Sequence, residues 1–342
     1  MKKAFITGIT GQDGSYLAEL LLSKEYEVYG LVRISSGNNI SRIEHLKKNK
    51  NFHLCYGDIT DESGLYNIIK ETNPQEIYNL AALSHIQKSF IAPIQTTNIN
   101  SIGTLNLLEA IRTMNIKENV KFYQASTSEM FGNNNSIIQT ELSNFVPQSP
   151  YACSKLFAYW ISVIYRKAYG IFASNGILFN HESVRRDKDY VTRKISIGAS
   201  KIKLGLEKKL YLGNLSTKRD WGHSKDFVYG MYKILQQDKP DDFILSTGIT
   251  TSIRDFCKKV FAKLDIEIEF QNSGIDEKGY NKKTGECIIE VDPSLYRPID
   301  VDNICGDSSK ARKLLNWTPK YSLDDIIDEM LEYDLKQLKS NN

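Results

Sequence analysis

The sequence predicts an α/β fold, a doubly wound parallel sheet accompanied by a smaller α/β domain, and three observations lead to this prediction. Short apolar runs alternate with amphipathic helical patterns through the first half of the chain. The first apolar run passes through closely spaced glycines into a helical pattern. Beyond about residue 180 the alternation gives way to charged, glycine-rich loops. Repeated strand-helix-strand units require a parallel sheet with helices on both faces, so the regular half supplies the larger domain.

Apolar runs of strand length are predicted to form the sheet, with amphipathic segments as helices between them. The strands fall at residues 3–9, 26–33, 51–58, 76–82, 120–127 and 170–180, and the helices at 14–25, 62–72 and 101–114. In the second half, residues 272–286 carry the glycines and charges that are typical of a flexible surface loop. The segment after Ser322 is predicted as a closing helix, because it begins with a serine cap and an acidic first turn.

The composition argues against several classes of function. A formal net charge of +3 over 342 residues gives no reason to expect a nucleic-acid partner. No apolar run reaches the roughly 20 residues needed to cross a bilayer. The chain starts with a strand-like segment instead of a signal peptide, so we expect a cytoplasmic protein without a membrane partner. Five scattered cysteines favour reduced thiols, and no histidine spacing predicts a metal site.

The turn after the first strand carries Gly8, Gly11 and Gly14 in a G-x-x-G-x-x-G pattern. Glycines at this point let the backbone approach a pyrophosphate, whose charge then lies at the helix N-terminus. The strand before and the helix after provide the context that a dinucleotide site needs, and they predict a Rossmann-type domain. The alternative is a glycine-rich turn that binds nothing.

The end of the second strand bears on which dinucleotide binds. NAD sites usually carry an acidic residue about 20 residues beyond the glycines, but this chain has Arg33, Ser35 and Ser36 in that region. A cation beside small hydroxyls suits a 2′-phosphate, so NADP is predicted. NAD is the alternative if Arg33 is only a solvated residue at the end of the strand. Asp58, after the third strand, is placed where an acid could meet the adenine.

The stretch SPYACSK, residues 149–155, places Tyr151 and Lys155 one helical turn apart. Ser149 can cap the helix and Pro150 suits its first turn. A phenol with a pKa near ~10 is a poor base at neutral pH, and a neighbouring ammonium would stabilise its phenolate. Lys155 is therefore predicted to make Tyr151 a usable acid-base group. By itself, a Y-x-x-x-K spacing is common on ordinary helix faces.

Thr127, Ser128 and Glu129 come at the end of the fifth predicted strand. Open α/β sheets bind their ligands at the carboxyl ends of the strands. A Thr-Ser-Glu sequence alone would be read as a cap for the next segment. Together with a nucleotide motif and a Tyr/Lys pair aimed at the same edge, it becomes a candidate catalytic group.

With these residues assembled, the chain resembles the extended short-chain dehydrogenases/reductases and, among them, the GDP-mannose 4,6-dehydratase family. The resemblance runs over nearly the whole chain, in the ordered segments GITGQDGSYLAELL, EIYNLAALSH, FYQASTSEMFG, SPYACSK, NGILFNHES, VTRKI, LGNLSTKRDWGHSKDFV and GDSSKARKLLNW. It implies that Thr127, Glu129, Tyr151 and Lys155 are the catalytic residues. Tyr151 would deprotonate the C4 hydroxyl of the sugar while hydride passes to NADP⁺. Glu129 would remove the C5 proton and help the C6 hydroxyl leave, with Thr127 hydrogen-bonding the sugar.

The resemblance also implies binding roles. The implied cofactor contacts are Gly8, Gly11, Gln12, Asp13, Gly14, Arg33, Ser35, Ser36, Asp58, Ile59, Leu80, Ala81, Ala82, Ser84, Tyr151, Lys155, His181 and Arg186. The implied contacts to a GDP-linked sugar are Ser84, Ser128, Asn180, Lys194, Arg219 and Arg297. A homotetramer is implied as well. We predict an NADP-binding domain at 1–178, to which 219–247 returns, and a substrate domain at 179–218 and 248–338.

Alternatives remain for the substrate and for the reaction. Leu83, Gln87 and Lys88 differ from the residues usual in the family beside its pockets, so a GDP-linked manno-heptose is an alternative to GDP-mannose. A nucleotide-sugar epimerase or reductase would share the glycines and the Tyr/Lys pair, but a C4 epimerase does not need Glu129. A non-catalytic protein that senses NADP(H) would be expected to have lost the Tyr/Lys pair.

Overall fold

A computed structural model describes residues 1–33, 40–134, 136, 138–296, 299–301 and 303–340 of the chain. Its strands are β1 Lys3–Thr7, β2 Glu27–Val32, β3 Phe52–Tyr56, β4 Glu76–Asn79, β5 Lys121–Thr127, β6 Ile138–Gln139, β7 Phe172–Leu178, β8 Asn180–Glu182, β9 Leu210–Leu212, β10 Lys218–His223, β11 Asp242–Leu245, β12 Thr250–Ser252, β13 Ile268–Gln271, β14 Lys278–Asn281, β15 Cys287–Val291 and β16 Asn303–Gly306. Its α-helices are α1 Gln12–Ser23, α2 Glu62–Thr72, α3 Ile86–Ile91, α4 Pro93–Thr97, α5 Gly103–Thr113, α6 Pro150–Tyr169, α7 Val191–Lys203, α8 Ser224–Leu235, α9 Ile253–Ala262, α10 Ser309–Leu315 and α11 Leu323–Ser340.

The largest sheet has seven strands in the order β11-β7-β5-β4-β1-β2-β3. Every neighbouring pair in it is parallel. The six strands predicted from the apolar runs correspond to β1, β2, β3, β4, β5 and β7, and all of them lie in this sheet. The prediction of a doubly wound α/β fold is therefore confirmed.

Both faces of this sheet are covered, as the side chains of β1 illustrate. Ala4 and Ile6 belong to one apolar cluster with Leu17 of α1 and with residues of α8. Phe5 points to the other face, where it shares a second cluster with Leu107 of α5 and with residues of α2. Successive side chains of a strand alternate between its faces, so a strand that is apolar throughout can be buried on both sides.

Two smaller sheets are built mainly from the second half of the chain. One has the order β12-β10-β16-β6, with β8 also pairing with β10, and the other has the order β13-β14-β15-β9. The prediction of a flexible loop at 272–286 was wrong, because β14 lies within it and pairs with both β13 and β15. Gly279 packs against Ile289 where a side chain would crowd it. Gly279, one of the glycines behind the loop prediction, therefore makes a close contact within a sheet.

The predicted closing helix is α11. Ser322 accepts a hydrogen bond from the Asp325 backbone N–H at 3.2 Å, which is the expected cap. The helix is tied to α7 by Arg193, whose guanidinium makes two hydrogen bonds of 2.6 and 2.7 Å to Asp334. None of the described helices is long and apolar enough to cross a membrane.

A buried polar network fixes the carboxyl ends of the central strands. The Thr7 hydroxyl at the end of β1 donates to Asn79 at the end of β4 at 2.7 Å. Asn79 in turn donates to Gln124 of β5 at 2.7 Å. The Thr7 oxygen also accepts the backbone N–H groups of Leu80 and Ala81, both at 3.1 Å. The loops that leave these strands are consequently held in fixed positions at one edge of the sheet.

Candidate active site

The carboxyl ends of the large sheet border a cavity of about 460 Å³ that extends to β8, α7 and β10. Every site residue that was predicted and that the structure describes lines this cavity: Gly8, Gly11, Gln12, Asp13, Gly14, Arg33, Asp58, Ile59, Leu80, Ala81, Ala82, Ser84, Thr127, Ser128, Glu129, Tyr151, Lys155, Asn180, His181, Arg186, Lys194 and Arg219. Ser35, Ser36 and Arg297 lie outside the described residues. Residues from widely separated parts of the sequence therefore meet around one space.

The glycine turn forms one end of this cavity. Gly8 has φ +70°, and a Cβ atom there would lie 2.8 Å from the backbone nitrogen of Ala81. A side chain at Gly14 would overlap the Gly8 carbonyl. Both positions therefore require glycine, and together they leave the N-terminus of α1 open toward the cavity.

A partly buried ion pair lies directly behind this turn. His181 Nε2 is 2.8 Å from Asp13 Oδ2, and the other ring nitrogen is 2.7 Å from the Phe179 carbonyl. Burial opposes ionisation, but His181 and Arg186 hold the pKa of Asp13 below its usual range. The pKa of His181 is raised, because Asp13 outweighs the effect of burial. Gln12 joins this group by donating to the His181 carbonyl at 3.1 Å.

At the same end, the cavity is lined by Arg33 and Asp58. The Asp58 carboxylate accepts hydrogen bonds from the backbone N–H and the hydroxyl of Thr60, at 2.9 and 2.7 Å. These bonds hold the Asp58 side chain in place after β3. Arg33 is exposed, so its guanidinium can reach a ligand at the rim.

Tyr151 and Lys155 lie on the first turns of α6, as predicted. Ser149 caps the helix by accepting the Ala152 backbone N–H at 3.1 Å, and Pro150 takes the first helical position. Tyr151 is 8% exposed and Lys155 is 3% exposed. The Lys155 ammonium donates to the carbonyl of Ala125 in β5 at 2.9 Å.

The ionisation of these two groups is set mainly by burial. Burial raises the pKa of the Tyr151 phenol, and Tyr190 raises it further. The groups that lower this pKa most are Thr127, through a hydrogen bond, and Arg186, so the predicted effect of Lys155 is not among the leading contributions. Burial lowers the pKa of Lys155 itself to about 8.

Thr127 and Glu129 stand at the end of β5, next to the phenol. The Glu129 backbone N–H donates to the Thr127 hydroxyl at 3.3 Å in the short turn that follows the strand. Glu129 is 7% exposed, and its carboxylate is close enough to Tyr151 to raise the pKa of that phenol. A carboxyl and a phenol thus face the same part of the cavity, which gives the site two groups able to move protons.

The part of the cavity bordered by β8, α7 and β10 is lined by Asn180, Lys194 and Arg219. Arg219 is held by Val301, whose carbonyl accepts a hydrogen bond at 2.7 Å, and by Asp300, whose carboxylate is 3.2 Å from the guanidinium. Two cations in this part provide the charge that a diphosphate requires.

Sequence reasoning missed Tyr190, which also lines the cavity. Its hydroxyl is 2.8 Å from the Ser84 hydroxyl, and the Arg186 guanidinium lies 3.7 Å from its ring centroid. The residue stands at the end of a charged run without any recognisable spacing, so no signal in the sequence marked it. Only the packing of residues far apart in the chain shows its position.

Comparison with known proteins shows which family this chain resembles over nearly its whole length. A model of the family described as GDP-mannose 4,6 dehydratase matches residues 5–330. The GDP-mannose 4,6-dehydratase of Sinorhizobium fredii (strain HH103) is 50% identical over 343 residues, which cover 99% of this chain and 98% of that protein. The GDP-mannose 4,6-dehydratase of Vibrio cholerae serotype O1 is 49% identical over 355 residues, which cover 99% of this chain and 95% of that protein.

Solved structures show the same fold. The dTDP-glucose 4,6-dehydratase of Bacillus anthracis, in complex with NAD, superimposes with a TM-score of 0.82 at 21% sequence identity, covering 99% of this chain and 98% of that chain. At this identity the likeness concerns the fold alone. The family model and the relatives at half identity go further: this chain belongs to the GDP-mannose 4,6-dehydratase family.

Proposed function

We propose that the protein is a 4,6-dehydratase that converts GDP-mannose to the 4-keto-6-deoxy sugar, with NADP as its cofactor. The observation that carries this proposal is the placement of Glu129 beside Tyr151 in one cavity. A simple C4 epimerase needs only one proton-transfer group at C4, whereas dehydration across C5 and C6 needs a second one. The relatives at half identity, which are dehydratases, do not favour the epimerase alternative.

The residues present fit a nicotinamide dinucleotide. Gly8 and Gly14 allow a tight turn in which side chains would clash with the backbone, and the open N-terminus of α1 suits a pyrophosphate. When bound, the cofactor would accept hydride from C4 and return it to C6, so that the net reaction is the loss of one water. Arg33 at the rim supports NADP over NAD. Mass spectrometry of the dinucleotide that copurifies with the protein tests this choice, and NAD alone would refute it.

In this mechanism Tyr151 takes the proton of the C4 hydroxyl, and a proton from the phenol would balance the reaction by returning to C5 when C6 has received hydride. The C4 ketone that results acidifies the C5 proton, which Glu129 removes and passes to the departing C6 hydroxyl as water forms. Thr127 hydrogen-bonds the sugar and the phenol, and its bond lowers the pKa of Tyr151. Lys194 and Arg219 would hold the diphosphate, which fixes the sugar between the two proton-transfer groups.

A C6-extended sugar, GDP-manno-heptose, is the second candidate substrate. The observation in its favour is that Gln87, a polar side chain, lines the cavity beside Ser84. Incubating the protein with each GDP-sugar separately, without added reductant, and following the loss of one water by mass spectrometry tests both candidates. No loss from either sugar, with cofactor bound, would refute the proposed dehydration.

The division of the chain and its assembly are further parts of this proposal. We assign residues 1–178 and 219–247 to the cofactor domain, and residues 179–218 and 248–338 to the substrate domain. The support is that β11 and α8 pack with the large sheet, although β10 pairs within a smaller one. A homotetramer is proposed from the family resemblance, and light scattering coupled to size-exclusion chromatography tests it.

A further inference from the structure

Two segments that line the cavity converge on each other across its edge. One contains Ser84 and leads into α3, and the other contains Tyr190 and leads into α7. Their hydroxyl groups are 2.8 Å apart. Next to this bond, the Lys88 ammonium is 2.7 Å from the Asp189 carboxylate. Two adjacent polar contacts therefore join parts of the chain that are about a hundred residues apart in sequence.

The ring of Tyr190 is held from two further directions. The Arg186 guanidinium lies 3.7 Å from the ring centroid, and Arg186 is itself placed by Glu182, whose carboxylate is 3.3 Å from its Nε. The His85 ring contacts the tyrosine ring with centroids 5.5 Å apart. Because the ring contacts both of these side chains, its hydroxyl has a defined position in the cavity.

This hydroxyl lies close to the reacting end of the site. Tyr190 is near enough to Tyr151 to raise the pKa of that phenol. The helix α3, which follows the Ser84 segment, also contacts α6, since Ser89 accepts the backbone N–H of Tyr151 at 3.2 Å. A sugar placed for proton transfer to Tyr151 would therefore lie beside the Ser84 and Tyr190 hydroxyls.

The bonding capacity of the pair suits a sugar. A hydroxyl provides one donor and two acceptor lone pairs, so a bond between two hydroxyls leaves one donor and several acceptors unused. Ser84 is exposed to the cavity, where those atoms are available to a ligand. A sugar hydroxyl, which both donates and accepts, is the complementary group.

From these contacts we infer that Tyr190 is a specificity-determining residue that contacts the sugar through its hydroxyl, paired with Ser84, next to the carbons that react. This inference rests on the proposed function, because that function places the sugar at this end of the cavity. The proposed function assigns the nucleotide to Arg219 and Lys194. Lys194 lies one turn beyond Tyr190, with its backbone N–H 2.8 Å from the Tyr190 carbonyl, whereas the Tyr190 hydroxyl is bonded to Ser84. Removing the hydroxyl should therefore weaken binding of the sugar and leave binding of the nucleotide unchanged.

The test is Tyr190→Phe in the holoenzyme, because this change keeps the ring and its contacts with Arg186 and His85. We expect the KM for GDP-mannose to rise about 5- to 10-fold, as for the loss of one hydrogen bond. The inhibition constant of GDP, which lacks the sugar, should stay within about twofold. Tyr66→Phe is the matched control, since Tyr66 is a partly exposed tyrosine on α2 outside the cavity; both constants should match the wild type.

Each result has a definite meaning. A KM and an inhibition constant that rise together in Tyr190→Phe would show a general structural role and overturn the inference, as would no change in either constant. If the wild-type protein loses water from neither GDP-mannose nor GDP-manno-heptose, the proposed function is refuted. The dissociation constants of GDP-mannose and GDP, measured by calorimetry on the same proteins, would then test the inference. It holds if Tyr190→Phe raises the constant of GDP-mannose and leaves that of GDP unchanged, and it fails if both rise or neither does.

Discussion

Replacing Glu129 by glutamine is the most direct test of the second proton transfer. The substitution keeps the size and shape of a side chain that is only 7% exposed, so packing should survive. Water has little access to take over the role of a buried base. A positioned acid-base group contributes about 10²- to 10⁴-fold to a rate, which corresponds to roughly 3 to 5 kcal/mol in the barrier. We therefore expect kcat for water loss to fall by two to four orders of magnitude, with the KM for GDP-mannose nearly unchanged.

The assay follows water loss by mass spectrometry and, in D₂O, the incorporation of deuterium at C5 of the sugar. Glu129→Gln should lose both signals together, because the same group would remove the C5 proton and protonate the departing hydroxyl. Tyr151→Phe is the comparison, since it should block the reaction one step earlier while preserving the carboxylate. Glu129→Gln with near wild-type kcat, or with undiminished deuterium exchange, would refute the assignment of Glu129.

Three further outcomes follow from other contacts. Burial lowers the pKa of Lys155 to about 8, below the ~10.4 of an unfolded lysine. At this lysine the unfolded chain therefore binds more protons between these values, so Lys155 contributes a rise with pH of up to roughly 3 kcal/mol to the free energy of unfolding of the cofactor-free protein. Denaturant titrations measure this contribution as the difference between the wild type and Lys155→Met. Asp334→Asn leaves the buried Arg193 charge unbalanced and should cost about 3 to 5 kcal/mol of unfolding free energy, measured by urea denaturation. Lys88→Met removes the exposed ion pair with Asp189 and should raise the KM for the GDP-sugar only about two- to threefold at low salt, because such pairs are weak. At high salt, where the pair is screened, the KM should not change. Lys263→Met is the control, since its ion pair with Asp328 has the same 2.7 Å length and lies away from the cavity.

The sequence predicted those features that depend on local patterns. The strands of the large sheet are continuous apolar runs, and α6 begins at Ser149 and Pro150 because capping chemistry is local. The glycines of the first turn and the Tyr/Lys pair could be predicted from motifs, whereas cavity residues such as His181, Lys194 and Arg219 were predicted from the resemblance to the family. β14 was missed, since its place depends on pairing with two other strands and not on its own composition.

The pairings at the site were beyond prediction for the same reason. Asp13 and His181 are an ion pair, yet 168 residues separate them in sequence. Tyr190 meets Ser84 only because the loop before α7 folds back over the start of α3. A spacing in the sequence reports which side chains share one helix or strand, whereas contacts between elements depend on the completed fold.

The difference between predicted and observed electrostatics at Tyr151 has a consequence for catalysis. The sequence suggested a phenol activated by one lysine, but burial favours the uncharged form of both groups, raising the pKa of Tyr151 and lowering that of Lys155. The leading effects that oppose this for the phenol come from Thr127 and Arg186, on other elements. The apparent pKa values in the pH dependence of turnover should consequently be set by all of these residues together, and not by Tyr151 and Lys155 alone. If Arg186→Met and Lys155→Met are compared, the rise of kcat/KM with pH should move to higher pH in the Arg186 variant, because the phenol loses a cation that favours its ionised form. An unchanged profile in the Arg186 variant would contradict this reasoning and indicate that Lys155 alone activates the Tyr151 phenol.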